Sequence, residues 1–86
     1  MKLDIIYMVE KMYEEFGDGS DVMCFKDKQG VTIRLRVFSV EPCIQSQYII
    51  SHRDLKDDCY VAKANRDFAR CFDQLIELRT KNAACK

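Results

Sequence analysis

The first apolar pattern in the chain has the spacing of an α-helix. Between residues 3 and 16, apolar side chains recur every three or four positions, and charged residues lie between them. The recurring residues are Leu3, Ile6, Val9, Tyr13 and Phe16, with Ile5 and Met12 beside them. This spacing predicts an amphipathic helix that turns the stripe toward the core. Gly17 directly follows the stripe and predicts the end of the helix.

The middle of the chain alternates between apolar and polar positions, as strands with one buried face do. The sequence DKQG, which begins at Asp27, predicts a type I turn followed by a glycine bulge. This turn joins two strands in a hairpin. In its register Phe25 lies opposite Ile33 and Met23 lies opposite Leu35, with all four side chains directed inward.

A second turn, centred on Pro42, predicts a second hairpin, because proline presets the backbone angle that such turns need. The predicted register places Val37 opposite Tyr48 on the inward face. Both hairpins then assign the same side of the middle strand to the core. This agreement between two independent patterns favours a three-stranded antiparallel sheet.

The last apolar pattern predicts a long helix over residues 59–81, with neither Gly nor Pro inside it. Its stripe consists of Val61, Ala64, Phe68, Cys71, Leu75 and Leu78. Before it, Ser51 and Asp54 have the spacing of a capping box, which predicts a helical turn after the last strand. The sequence leaves open whether residues 52–58 form a loop, a separate turn or the beginning of the long helix.

These elements predict one α+β domain over residues 1–86. Its order is α-β-β-β-α, and it has two layers, with both helices on one face of the three-stranded antiparallel sheet. A domain of 86 residues buries only about 60% of the surface that its unfolded chain exposes. The core is therefore expected to be thin.

Composition and charge narrow the classes of function. Charged residues make up 33% and apolar residues 48% of the chain, which is typical of a soluble globular domain. No apolar run approaches the roughly 20 residues of a membrane span, and acidic residues interrupt the first helix, so we expect no membrane insertion and no signal peptide. The net charge of zero fits neither a strongly basic nucleic-acid binder nor an acidic DNA mimic.

The side chains with reactive chemistry are five cysteines and one histidine. No two cysteines have the C-x₂-C spacing, so we expect free thiols in a reducing cytosol and no metal site. His52 begins the sequence HRDLK, which matches part of the protein-kinase catalytic loop. Cys59 stands where that loop has the Asn that holds a metal ion. We therefore expect no catalytic residue, no cofactor and no enzymatic activity.

The predicted α-β-β-β-α order resembles that of double-stranded RNA-binding domains, over most of the chain. In that family a Gly-Pro-x-His loop between the first two strands and a Lys-rich start of the last helix contact phosphates. Here the loop is DKQG, and the last helix begins with DDCYVAK. The resemblance implies a nucleic-acid-binding module as an alternative function, with these segments carrying the contacts.

The outward face of the sheet is the candidate binding surface. Arginines next to an exposed aromatic and an aliphatic side chain are typical of the centre of a protein–protein interface. The candidate residues are Arg34, Arg36, Phe38, Gln45, Gln47 and Ile49. An ordinary solvated sheet face is the other interpretation of the same pattern.

The function that we expect from the sequence is binding of another protein, whose identity the sequence leaves open, in preference to nucleic acid. Small helix–sheet proteins rich in thiols are common among phage and mobile-element products that inhibit host machinery. This is an analogy of size and fold. It suggests a cytoplasmic inhibitor that acts by protein–protein interaction.

The end of the long helix predicts a self-association surface. A helix of about 23 residues is about 34 Å long and is expected to extend past strands of about 30 Å. The residues expected on the exposed end are Leu75, Ile76 and Leu78. Exposed apolar residues there favour a homodimer. The alternative is that Leu3 and Ile6 of the first helix cover this end within one chain.

Overall fold

The computed structural model describes residues 4–57 and 59–84 and has the predicted α+β architecture. Its elements are α1 (Ile5–Phe16), β1 (Ser20–Lys26), β2 (Gly30–Val37), β3 (Ile44–Ser51), α2 (His52–Leu55) and α3 (Tyr60–Ala84). The three strands form one antiparallel sheet in the order β1-β2-β3. Within the described residues, no helix has the length and apolar character that crossing a bilayer requires.

Both long helices pack on one face of the sheet and share one core with it. α1 contacts mainly β1, and α3 contacts mainly β3. The core combines residues from the two helices with inward residues of β2 and β3 in a single cluster. Its most deeply buried large side chains are Met8, Met12, Ile33, Leu35, Val37, Cys71 and Leu75. The opposite face of the sheet carries no helix among the described elements.

α1 is rotated relative to the predicted orientation. Met8, Met12 and Phe16 are buried, whereas Ile6 and Tyr13 of the predicted inward stripe are exposed. The sequence contains two apolar stripes that share Phe16, and local spacing does not choose between them. The aspartate before the helix caps it, since its carboxylate accepts the N–H of the third helical residue at 3.0 Å.

The prediction that Met23 and Phe25 point inward is wrong. Met23 lies opposite Arg34 and Phe25 lies opposite Thr32, so both point to the outward face. Cys24 takes the inward position instead. The pairing differs from the predicted register by one residue, and such a displacement moves every side chain of a strand to the other face.

The turn between β1 and β2 explains this difference. The N–H of Asp27 donates to the carbonyl oxygen of Gly30 at 2.8 Å, so these residues face each other and only Lys28 and Gln29 connect them. The Asp27 carboxylate also accepts the N–H groups of Gln29 at 2.8 Å and of Gly30 at 3.2 Å. This side-chain capping replaces the predicted glycine bulge and fixes the shorter connection.

The second hairpin has the predicted faces but not the predicted register. Val37 lies opposite Ile44 and Tyr48 lies opposite Ile33, a displacement of four residues from the prediction. β2 ends at Val37, because the N–H groups of the next two residues donate to the carbonyl oxygen of Gly19 at 2.8 and 3.1 Å. The displacement is an even number of residues, so the inward residues of β3 remain inward.

α3 follows the sequence prediction closely. Its buried residues are Val61, Ala64, Phe68, Cys71 and Leu75. Residues 52–55 form a separate helical turn, α2. Ser51 and Asp54 make the predicted capping box there, with the Ser51 hydroxyl accepting the N–H of Asp54 at 3.1 Å.

The expected exposed apolar end of the long helix is not found in the structure. Leu75 has no exposed surface. Ile76 and Leu78 are half-buried and pack against the same core. These three residues therefore lack the exposure on which their predicted role in self-association rests.

α1 covers this part of α3 through its C-terminal end. Ile6 is exposed and does not cover it, and Leu3 lies outside the described residues. Instead the ring of Phe16 meets the ring of Phe72 edge to face, with centroids 5.8 Å apart. The guanidinium of Arg79 lies over the Phe16 ring at 4.8 Å.

Candidate protein-binding surface

The outward sheet face collects side chains from all three strands. Alternation along the strands places them side by side on the layer opposite the helices. The outward residues are Asp21, Met23, Phe25, Thr32, Arg34, Arg36, Gln45, Gln47 and Ile49. Phe38, the remaining residue predicted for this surface, is exposed just beyond the end of β2. The predicted arginine and glutamine residues are therefore brought together, and Met23 and Phe25 join them.

Arg34 lies at the centre of this face and is held in place by its two neighbours across the strands. Its guanidinium carbon lies 5.2 Å from the centroid of the Phe25 ring. Its Nε–H donates to the Oε1 of Gln47 at 2.9 Å. Neither neighbour carries a negative charge, and among the described residues no carboxylate lies within ion-pair distance of Arg34. Its positive charge is therefore available to a partner.

Arg36 forms an ion pair with Asp21 on the neighbouring strand. The two groups meet in a bidentate arrangement, with the Arg36 Nε–H donating to the Asp21 Oδ1 at 2.9 Å. The hydrogen bond from Arg36 holds the pKa of Asp21 below its usual value, against the opposing effect of partial burial. The charge of Arg36 is thus neutralised within the sheet.

The ion pair predicts how acid affects stability. The pKa of Asp21 is lower in the folded chain than its usual value of 3.8, so the pair contributes its full stability above that value and loses it as pH falls below it. The free energy of unfolding, measured by urea denaturation at about pH 6 and about pH 3, should therefore fall less in Asp21→Asn than in the wild type.

Arg36→Gln removes the positive charge and the bidentate contact with Asp21, and it should flatten the pH dependence by a similar amount. If Asp21→Asn and the wild type lose the same stability in acid, the ion pair makes no contribution in solution.

Asp27 and Thr32 fix the turn end of the face. Thr32 is buried although it points to the uncovered side, and its hydroxyl donates to the Asp27 Oδ2 at 3.2 Å. The N–H of Gln29, with smaller contributions from Thr32 and Gly30, lowers the pKa of Asp27. The Asp27 carboxylate thus accepts hydrogen bonds both from the backbone of the turn and from the buried Thr32 hydroxyl.

Two shallow depressions interrupt the sheet face. One, of about 430 Å³, lies at the turn end and is lined in part by Phe25, Arg34 and Ile49. The other, of about 390 Å³, lies at the opposite end and is lined in part by Arg36 and Phe38. Each combines an arginine with apolar side chains, which is the composition of a protein-binding surface.

A larger groove lies in the helical layer, between α1 and α3. Its volume is about 720 Å³, and aromatic and aliphatic side chains form much of its lining. The lining residues are Asp4, Tyr7, Lys11, Val61, Asn65, Phe68, Ala69, Phe72 and Asp73. Sequence reasoning missed this groove because it depends on the rotation of α1.

Two of the three basic residues in the first half of α3, Lys63 and Arg70, are paired with acidic ones, whereas Arg66 is exposed and has no ion pair among the described residues. The Nζ of Lys63 lies 2.9 Å from the Oδ2 of Asp54, and this contact is the main cause of a lowered pKa of Asp54. Arg70 pairs with Asp67 at 3.5 Å. A helix that contacts phosphates needs unpaired cations, so these ion pairs weaken the case for nucleic-acid binding.

Comparison with protein-family models, with curated proteins and with solved structures finds no significant match. The chemistry and geometry of the surfaces are therefore the basis on which function is inferred. Of these surfaces, the sheet face combines a free positive charge with a pre-arranged set of polar and apolar side chains.

Proposed function

We propose that the chain is a non-catalytic, cytosolic module that binds another protein through the outward sheet face. The observation that carries the proposal is the arrangement of Arg34, which stacks on Phe25 and donates to Gln47 while its charge stays available. Arginines held in this way lose little conformational entropy when they bind, and they are enriched among residues that dominate interface energies.

The net charge of the face favours a protein partner. Asp21 cancels Arg36, so Arg34 leaves this surface with a small positive charge. Apolar contacts from Phe25 and Ile49 surround that charge. A partner with an acidic side chain beside an apolar one fits this surface better than a phosphate backbone does. Tight binding to a phosphate backbone needs several cations on the protein surface. The module needs no cofactor for such binding.

Inhibition is the mode of action that we infer from size and fold. A small domain with one uncovered sheet face can occupy a functional surface of a larger protein and block it. This is how we propose that it acts, in analogy to small inhibitors of host machinery encoded by phages and mobile elements.

A nucleic-acid-binding module is the second candidate, and its support is the α-β-β-β-α topology with both helices on one sheet face. The ion pairs Lys63–Asp54 and Arg70–Asp67 oppose it. Nuclease treatment separates the two candidates, because only binding through nucleic acid depends on intact RNA or DNA.

The test is capture by the tagged chain from a lysate of its native cells, with and without nuclease treatment. Arg34→Glu should reduce recovery of the bound protein roughly tenfold or more, because it reverses the available charge at the centre of the face. Its unfolding free energy should change by only about 1 kcal/mol, since within the folded chain the substitution removes the stack on Phe25 and one exposed hydrogen bond to Gln47.

Lys56→Glu is the matched control, because it makes the same change of charge on the exposed connection after α2. It should leave recovery unchanged. Recovery that disappears with nuclease would favour the nucleic-acid candidate. Equal recovery with Arg34→Glu and the wild type would overturn the proposed site.

A further inference from the structure

α1 exposes an apolar stripe to solvent. Ile6, Val9 and Tyr13 are 68%, 45% and 58% exposed, and they follow one another at spacings of three and four residues. These spacings place the three side chains in one row along the helix. Single exposed apolar side chains are common on protein surfaces, but a row of three along one helix is unusual for so small a domain.

The stripe lies on the flank of α1 that faces away from α3. The side toward α3 is identified by two contacts: Tyr7 meets Phe68 with ring centroids 6.3 Å apart, and Glu15 pairs with Arg79. The sheet side is identified by the buried Met8. With 3.6 residues per turn, the row of Ile6, Val9 and Tyr13 falls on the remaining flank, above the outer edge of β1.

Acidic side chains border the row. Glu10 and Glu14 follow Val9 and Tyr13 directly in sequence and lie beside the stripe on the solvent side. The last turn of α1 contains no basic residue. The apolar row therefore carries negative charge along one border over its central and C-terminal parts.

The negative charge of Glu10 and Glu14 restricts which kind of partner can bind to the stripe. A second copy packed antiparallel on the stripe by a two-fold axis would place Glu10 and Glu14 close to the same residues of the first copy, and like charges repel. An anionic lipid surface would repel them too. A convex helical ridge with three apolar anchors instead fits a concave apolar groove, and acidic neighbours call for basic residues on the rim of that groove.

We propose that α1 docks as a helix into an apolar groove with a lysine- or arginine-rich rim on a second protein. Ile6, Val9 and Tyr13 are the anchors, and Glu10 and Glu14 pair with the rim. This surface is separate from the outward sheet face, for which we propose a partner with an acidic side chain. The inference does not depend on the function proposed for that face.

Photocrosslinking tests the proposal with the full chain. Replacing Tyr13 by benzoylphenylalanine keeps an aromatic side chain at an exposed anchor position. After irradiation in native cells, mass spectrometry of the adduct should identify a segment of another protein with apolar residues and nearby Lys or Arg. The same probe at Lys28, on the turn between β1 and β2, is the positional control and should not give this adduct.

Two variants examine the anchors and the charges separately. Val9→Asn and the double change Glu10→Lys with Glu14→Lys should each lower the adduct yield roughly tenfold, with unchanged circular dichroism. Arg34→Glu should leave it unchanged, so a failure of the sheet-face proposal remains distinguishable. An adduct with a second copy of the chain, with lipid or with an acidic segment overturns the proposal, and so does the absence of any adduct above the Lys28 control.

Discussion

Gly30→Ala is expected to destabilise the chain by about 3 kcal/mol or more, a large effect for the addition of one methyl group. A β-carbon at Gly30 would lie 2.1 Å from the carbonyl oxygen of Ile50 and 2.9 Å from the α-carbon of Ser51. These are backbone atoms of the neighbouring strand, so no side-chain rotation relieves the collision. The φ of +145° at Gly30 adds conformational strain for any other residue.

The surroundings of Gly30 leave little room for adjustment. Ser51 is held by the capping box with Asp54, and the N–H of His52 donates to the carbonyl oxygen of Gln29 at 3.1 Å. Urea denaturation followed by circular dichroism measures the effect. Because a domain of this size is stable by only about 5–10 kcal/mol, a large loss of the folded population at moderate urea is expected.

Gly17→Ala is the matched control. Gly17 also has a positive φ, of 72°, but its β-carbon would meet no atom within 4 Å. Its ψ of −157° puts it in a region that is essentially restricted to glycine, so the substitution should cost the backbone strain alone, about 1–3 kcal/mol. If the two alanine variants are equally stable, the close approach of Gly30 to Ile50 is not a feature of the protein in solution.

Leu75→Ala is expected to cost about 3 kcal/mol, because it leaves a cavity in the centre of the core. Leu75 has no exposed surface and belongs to the cluster that joins both helices to the sheet. In a domain of this size the loss corresponds to a decrease in Tm of roughly 10–25 °C. Thermal unfolding followed by circular dichroism measures it.

Leu78→Ala is the control, with the same change in side chain three residues later on α3. Leu78 is only half-buried, so about 1 kcal/mol is expected. The order of the two effects distinguishes the core position of Leu75 from its predicted place on an exposed helix end. A smaller effect at Leu75 than at Leu78 would contradict the packing described above.

The buried face of a helix can be predicted from the sequence where the helix carries only one apolar stripe. α3 carries a single apolar stripe, so Ala64, Phe68 and Cys71 are buried as the spacing predicts. α1 carries two overlapping stripes. The choice between them depends on contacts with α3, such as Tyr7 with Phe68, and local spacing contains no information about those contacts.

The register of β1 against β2 could not be predicted from the short-range sequence pattern alone. The sequence DKQG is compatible with both a two-residue turn and a bulged turn. The hydrogen bonds of the Asp27 side chain select the first, which moves Phe25 outward beside Arg34. The sequence therefore predicts Arg34 and Gln47 on the candidate surface but misses Phe25. A pattern search that weighs aspartate capping of the turn could have found it.

The placement of each long helix directly above an edge strand has a consequence for aggregation. Free strand edges are templates on which sheets of different molecules join and polymerise. Joining two copies through β1 in the antiparallel sense keeps their helical layers on the same side and sets the edge strands about 4.8 Å apart. The two α1 helices above them would then be closer than the roughly 8–10 Å that packed helices need. α3 opposes the same event at β3. We therefore expect the helical layer to hinder edge-to-edge association of two copies at both open strands.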